Sequence, residues 1–311
     1  MKVHFDGVNF GSLSGPNTFA SRLARKLFES GHELVLEGPK ADVSLVFIER
    51  SGRPLAQKVV QRLDGIWFKP EEFAIKNSGI YELYMQADAV VWQSDFDRDM
   101  TTRWWNVPKG VGEVIRNGID TTPLTELTIP ALSKMVQDYE RIYVCSSNWH
   151  PQKRLRANVE LFERLNARRP NSCLIIMGKD PDVRTPSRHI FFTGPVGPDV
   201  YMQVYAAASW MLHLAWADHC PNVVIEALSQ GTPVVCSSVG GTKELIGTYG
   251  KVLQDQPYDF ELADYDNPPV LDLSQIDDLP DRSELNYSSI ADINIDNVAQ
   301  RYVKLFERVL K

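Results

Sequence analysis

In WADHCPNVVIEALSQGTPVVCSSVGG, residues 216–241, Asp218 sits in a short loop and Glu226 in a helix-forming run eight residues on, just ahead of an apolar strand. An ionised carboxylate accepts hydrogen bonds from two adjacent hydroxyls, the grouping that a ribose or hexose presents. Pro221 suits the first turn of a helix, Asn222 its cap region, and Val223 follows them. Glu226 then lies about one turn in. Helical side chains lean toward the N-terminus, which aims this carboxylate at the opening that Asp218 faces from the loop. The plainer alternatives are a first-turn carboxylate that complements the helix dipole and an aspartate that forms a turn.

Two further stretches could meet an anion. In VCSSNWHPQKRL, residues 144–155, a strand gives way to a polar loop ending in Lys153 and Arg154. Cations there can neutralise a diphosphate, and an arginine can do so with two parallel hydrogen bonds. Simple solvated charges are the alternative, and His150 reads as a loop residue. In GSLSGPNTF, Gly11 and Gly15 precede the first helix, where backbone N–H groups can approach an anion closely. An ordinary turn capped by Asn17 or Thr18 would look the same. The spacing matches neither the P-loop nor the dinucleotide-binding glycine pattern.

Strands alternating with helices must position these residues, the pattern of parallel sheets covered on both faces. The first series spans residues 1–125, with strands expected at KVHFDG, HELVLEG, DVSLVFIE, QKVVQRLDG, ADAVVWQS and GEVIRNG. Its helix TFASRLARKLFES carries Phe19, Leu23 and Leu27 on one face and stops at Gly31. Residues 126–140 read as a linker with a helix in it. A second series, residues 141–293, begins at RIYVCSS and continues through SCLIIMG, HIFFTG, WMLHLAW and TPVVCSS. These are continuous apolar runs, as expected of strands buried on both faces. Its acidic, proline-broken end, residues 255–293, reads as an extended and partly mobile segment. Residues 294–311 return to helical period with Val298, Tyr302, Leu305 and Val309, a docked amphipathic helix. The expected fold is α/β, with two facing doubly wound, Rossmann-like domains and a ligand cleft beyond the strand ends.

Composition narrows the partners. The chain has 311 residues, a formal charge of −7, and 43% hydrophobic residues, enough for two cores. The net charge gives no blanket attraction to nucleic acid or anionic lipid, so a phosphate would have to be held locally. The longest apolar stretch, YAAASWMLHLAWA, is too short to span a bilayer, and the opening has no signal core. Of the four cysteines, Cys145, Cys173, Cys220 and Cys236, three lie in or beside apolar runs, and they read as reduced thiols of a cytoplasmic protein. No Asp-x-Asp motif or His/Cys ligand cluster is visible, so no metal site and no cofactor are expected.

From Ser146 to Gly250 the sequence resembles the nucleotide-sugar half of retaining family 4 glycosyltransferases of GT-B fold. The likeness rests on SSNWHPQKRL, IMGKD, FFTGPVGPDVYMQVYAAAS and DHCPNVVIEALSQGTPVVCSSVGGTKELI. It extends more weakly into the first half through GPNTFASRLARKLFESGHEL, QRLDGIWF, AVVWQSDF and VIRNGID. The family's Glu-x7-Glu corresponds to Asp218-x7-Glu226. The resemblance implies that Glu226 holds the donor ribose, that Asp218 meets the donor sugar, and that Lys153, with Arg154, sits on the diphosphate. Gly178 and the Gly194–Val196 turn would line the base. Pro221, Asn222 and Val223, together with the helix starts near Gly15 and Gly241, would face the donor and its leaving group. The final helix would return to the first domain.

Three positions depart from the family pattern. The first glutamate is an aspartate. The arginine that precedes Lys153 is replaced by Asn148, leaving the phosphate to Arg154 or another cation. The N-terminal histidine has no counterpart, and Asp64 or Arg62 of RLDG holds the equivalent strand end, Asp64 being the candidate for the reaction centre. The implied activity is metal-independent transfer of a hexose from a nucleoside diphosphate sugar, such as a UDP or GDP sugar, to a hydroxyl acceptor with retention. The acceptor could be a glycan, a lipid-linked sugar or a small molecule. The rivals are a nucleotide-sugar epimerase and a catalytically silent nucleotide-sugar-binding protein.

Overall fold

A computed structural model describes residues 1–12, 14–179, 181, 183, 187–285 and 290–311. The chain divides into two units: Met1–Asp120 with Asp259–Asp264 and Ala291–Lys311, and Thr121–Tyr258 with Tyr265–Ile290.

The first unit runs β1 (Lys2–Asp6), α1 (Gly15–Glu29), β2 (Glu33–Val35), β3 (Val43–Phe47), β4 (Lys58–Arg62), α2 (Pro70–Lys76), α3 (Ser78–Gln86), β5 (Ala89–Trp92), α4 (Asp95–Trp105) and β6 (Val111–Val114). Its sheet is parallel, in the order β2-β1-β3-β4-β5-β6. The strand order therefore reverses between β1 and β3. Every residue of β3 is buried, the signature of a strand covered on both faces. Helix α1 starts earlier than its apolar period suggests. Ser14 is the N-cap, Pro16 occupies the first turn, and Asn17 reaches back to donate to Ser14 Oγ at 2.8 Å, so neither Asn17 nor Thr18 is the cap. The helix ends as expected, with Gly31 at φ +83° while His32 N–H donates to Leu27 O at 3.0 Å and Gly31 N–H to Phe28 O at 3.0 Å.

The second unit runs α5 (Pro130–Asp138), β7 (Arg141–Asn148), α6 (Leu155–Arg168), β8 (Ser172–Lys179), β9 (Ile190–Gly194), α7 (Pro198–Ala207), β10 (Trp210–His213), α8 (Asn222–Ser229), β11 (Val234–Ser237), α9 (Thr242–Ile246) and β12 (Gly250–Leu253). Its sheet is also parallel, ordered β12-β11-β10-β7-β8-β9, and reverses between β7 and β10. The acidic segment that follows is more firmly held than its composition suggests. Leu271, Ile276 and Leu279 are buried in the same core as Tyr143, Leu174 and Leu212, and buried Arg141 donates to Leu279 O at 2.8 Å. Apolar residues spaced between the acids supply this anchoring; residues 286–289 lie outside the described part.

The chain then forms α10 (Ile290–Ile293) and α11 (Ile295–Leu310). Asn294 caps α11 by accepting from Asp296 N–H at 2.9 Å. Val298, Tyr302, Leu305 and Val309 enter the core of the first unit beside Phe19, Leu23 and Leu27 of α1. Among the described residues no helix is long and apolar enough to cross a membrane.

Candidate functional site

In a doubly wound sheet, neighbouring strands at the reversal send their connections to opposite faces, and a crevice opens beyond their carboxyl ends. In the second unit that place lies beyond β7 and β10, and Lys153 and Asp218 meet there. After β7 the chain makes a single 3-10 turn, Pro151–Lys153. After β10 it makes the loop that carries Asp218. The two are stitched together, because Trp216 N–H donates to Gln152 O at 2.9 Å while Gln152 Nε2 donates to Trp216 O at 2.9 Å.

Lys153 Nζ lies 2.6 Å from Asp218 Oδ2, and His213 Nε2 lies 3.3 Å from the same oxygen. Burial disfavours the charged form of Asp218, but Lys153 and His213 outweigh it and hold the carboxyl well below the ordinary range. The neighbouring His219 is also lowered, but by burial, which pushes it down to about 4, so its imidazole is neutral at pH 7. The backbone is equally committed. Ala217 has φ +53°, an uncommon conformation for a residue with a side chain, and Asp218 bridges to Gly240. Gly241 N–H donates to Asp218 O at 2.8 Å and caps α9. Gly240 is at φ +129°, and a Cβ there would come 2.8 Å from Asp218 O, so glycine is required for this loop to close on Asp218.

Arg154 departs from the sequence expectation. It takes a left-handed conformation, φ +51°, and its guanidinium turns into the interior, donating from Nη1 to Asp255 Oδ2 at 2.5 Å and from Nη2 to Pro269 O at 2.5 Å. With side-chain exposures of 5% and 0%, Arg154 and Asp255 form a buried ion pair. Of the two adjacent cations, Lys153 is the one brought to Asp218.

Helix α8 also starts differently from the expectation. Pro221 is the N-cap residue, accepting from Val224 N–H at 3.1 Å, and Asn222 is the first helical residue, followed by half-buried Val223. Glu226 therefore sits just past the first turn, 5% exposed, with Tyr201 Oη of α7 donating to its Oε1 at 3.4 Å. Burial, then the Glu226 charge, raise the Tyr205 hydroxyl well above its ordinary value, so Tyr205 stays neutral. Asn148 is exposed at the tip of β7, in register with Lys179. Gly178, in register with Ser147, is at φ +114°, where a Cβ would fall 1.8 Å from Ser147 O; no other residue fits this pairing of β7 and β8. Gly194 closes β9, and half-buried Val196 stands in the turn before α7.

In the first unit, Gly15 opens α1. Asp64 follows β4 and accepts from buried Arg62 and, at 2.7 Å, from Gln93 Nε2. Burial raises its carboxyl despite the adjacent Arg62 charge. Sequence reasoning missed His213, Gln152 and Tyr201. A histidine closing the otherwise apolar run WMLHLAW was the one available signal. Among the described residues no group of three or more His, Cys, Asp or Glu could hold a metal ion.

Residues 140–263 match the family described as glycosyl transferases group 1. That span contains Lys153, Asp218 and Glu226. No curated protein matches the chain. Among solved structures, AviGT4, a glycosyltransferase involved in avilamycin A biosynthesis, is 17% identical with a TM-score of 0.65, covering 100% of this chain and 98% of that one. Anabaena Alr3699/HepE in complex with UDP is 16% identical with a TM-score of 0.67, covering 99% and 100%. Sucrose-phosphate synthase from Thermosynechococcus elongatus is 15% identical with a TM-score of 0.67, covering 99% of each. At these identities the likeness is one of fold: two Rossmann-like domains, as in GT-B glycosyltransferases.

Proposed function

We propose that the protein is a cytoplasmic retaining glycosyltransferase that moves a hexose from a nucleoside diphosphate sugar to a hydroxyl acceptor. The observation that carries this is the Lys153–Asp218 pair at the strand-order reversal of the second unit, with Glu226 on the helix that follows, all inside the matched segment.

In this reading Glu226 accepts from the ribose hydroxyls and Asp218 from hydroxyls of the donor sugar. Lys153 meets the charge that develops on the departing diphosphate, helped by backbone N–H groups at the starts of α8 and α9 and near Asn148. The low pKa of Asp218 keeps it an acceptor-only carboxylate across the physiological range. Gly178, Gly194 and Val196 border the base, and the solved complexes of Alr3699/HepE with UDP and UDP-glucose make uridine the first base to try. The proposal assigns the diphosphate charge to Lys153 and the amides and requires no metal. Asp64 serves the acceptor side, from the first unit.

The test is calorimetry with UDP, GDP, UDP-glucose and GDP-mannose on the wild type and Glu226→Ala. One of the nucleotides should bind, and the variant should bind it about 10- to 100-fold more weakly, the loss of charge-assisted hydrogen bonds to ribose. Equal affinity in both proteins removes the ribose assignment. Turnover of the donor sugar with a glycoside acceptor, followed by NMR of the product anomer, then separates a retaining transferase from a silent binder.

A further inference from the structure

The Asp64 carboxylate belongs to a hydrogen-bonded ring that closes on itself. Arg62 Nη1 donates to Asp64 Oδ1, and Arg62 Nη2 donates to Asn117 Oδ1 at 2.5 Å. Asn117 Nδ2 donates to Gln93 Oε1 at 2.9 Å, and Gln93 Nε2 returns to Asp64 Oδ1 at 2.7 Å while also donating to Leu63 O at 3.0 Å. The four side chains come from the carboxyl ends of three adjacent strands, β4, β5 and β6. Arg62, Gln93 and Asn117 are buried, whereas the Asp64 side chain keeps 18% exposure.

We propose that Arg62, Gln93 and Asn117 are positioning residues whose ring fixes the Asp64 carboxylate to receive one hydroxyl of a sugar acceptor; this rests on the acceptor-side assignment of Asp64 made above.

Three features argue for positioning over stability. First, the ring sets every orientation in it. Each amide uses both its oxygen and its nitrogen, so flipping Gln93 would set Oε1 against the Asp64 carboxylate and Nε2 against the Asn117 amide nitrogen. Second, both donors converge on Oδ1, and among the described residues no protein group donates to Oδ2, the oxygen left for a ligand. Third, the arrangement is a poor way to gain stability. A buried ion pair is commonly no better than apolar side chains of the same size, and Arg62 Nε is buried with no hydrogen-bond partner among the described residues. Arg62 is held regardless, its guanidinium 4.6 Å from the Phe19 ring centroid and 5.0 Å from that of Phe47. Burial also pushes the nearby Asp97 up to about 8, so at neutral pH it adds little negative charge beside Asp64.

The experiment uses the full chain and four probes: methyl glucoside, methyl galactoside, methyl mannoside and maltose, read by saturation-transfer NMR, with UDP and GDP affinity measured alongside. The variants are Asp64→Asn and Asn117→Ala; Asn117→Asp, which keeps the oxygen facing Arg62 and removes the donor to Gln93, serves if the alanine variant does not fold. Wild type should contact at least one sugar. Asp64→Asn and the Asn117 variant should bind it about tenfold more weakly with nucleotide affinity unchanged. Carbon-13 titration of Asp64 should move upward in the Asn117 variant, because a donor to its charged form is loosened. A merely structural Asn117 would lower the melting temperature and leave that titration in place. Equal sugar contact in wild type and Asn117 variant, or no sugar contact in the wild type, overturns the ring. A wild type that binds sugar through the ring but neither nucleotide keeps the ring and removes the nucleotide-sugar function.

Discussion

The two units share a parallel six-stranded sheet with one reversal of strand order, yet they place their charged side chains differently. In the second unit the reversal lies between β7 and β10, and Lys153, His213 and Asp218 meet there. In the first unit the reversal lies between β1 and β3, and the carboxylate at that point, Asp6, is closed off. Ser51 donates to Asp6 through both its N–H, at 2.8 Å, and its hydroxyl, tying down the loop after β3. The polar ring of that unit stands farther along the sheet, beyond β4, β5 and β6. The same topology thus recurs, but among the described residues only the second reversal pairs its carboxylate with a lysine. In the first cluster two amides close a ring around the Arg62–Asp64 ion pair, whereas in the second Lys153 and His213 face Asp218 directly. A charge pair locked into a ring of amides keeps its orientation, whereas Asp218 loses its main partner when an anion competes for Lys153.

The largest effect expected separates the neighbours Lys153 and Arg154. Arg154→Ala leaves Asp255 buried and unpaired, which should cost about 3–5 kcal/mol of stability in the second unit, read as a fall in melting temperature. Nucleotide affinity of the molecules that remain folded should not change. Lys153→Ala should cost less stability, because His213 still faces Asp218, but should bring about a 100-fold loss of turnover with the donor sugar, greater than its loss of donor affinity. If the two variants exchange phenotypes, the division of labour drawn here is wrong.

A separate measurement concerns Asp97, which lies beside the ring of the first unit. The folded-state pKa of Asp97, about 8, lies above its ordinary value of 3.8. Its contribution to folding is therefore fully present below about pH 4 and is lost as pH rises toward 8. Compared with Asp97→Asn, the wild type should lose melting temperature steadily between pH 5 and pH 8. Parallel profiles for the two proteins would mean that Asp97 is ionised in the fold.

Much of the fold is legible in the residues. Parallel strands buried on both faces are continuous apolar runs, and β3, β7, β8 and β10 declare themselves in that way. The α1 stop at Gly31 is equally plain. The helix starts were less so, because Pro16 and Pro221 fit more than one position of a first turn, and the local sequence does not say which residue caps. Within the site, Asp218, Glu226 and Lys153 stood out by type and spacing. Arg154 could not be told from Lys153, since a left-handed residue between a 3-10 turn and a helix redirects its side chain and its partner lies 101 residues on. Gln93 and Asn117 were hidden for a related reason. A polar residue ending a strand reads as solvated unless the ends of two other strands are known to lie beside it.

Helix α11 fills the core of the first unit against α1, although almost the whole second unit is written between them. During synthesis, then, α1 must wait for α11, while the intervening unit is free to fold in between. A cut near residue 120 would release a first unit with its apolar floor open, so the chain does not divide into two independently folding pieces at that boundary.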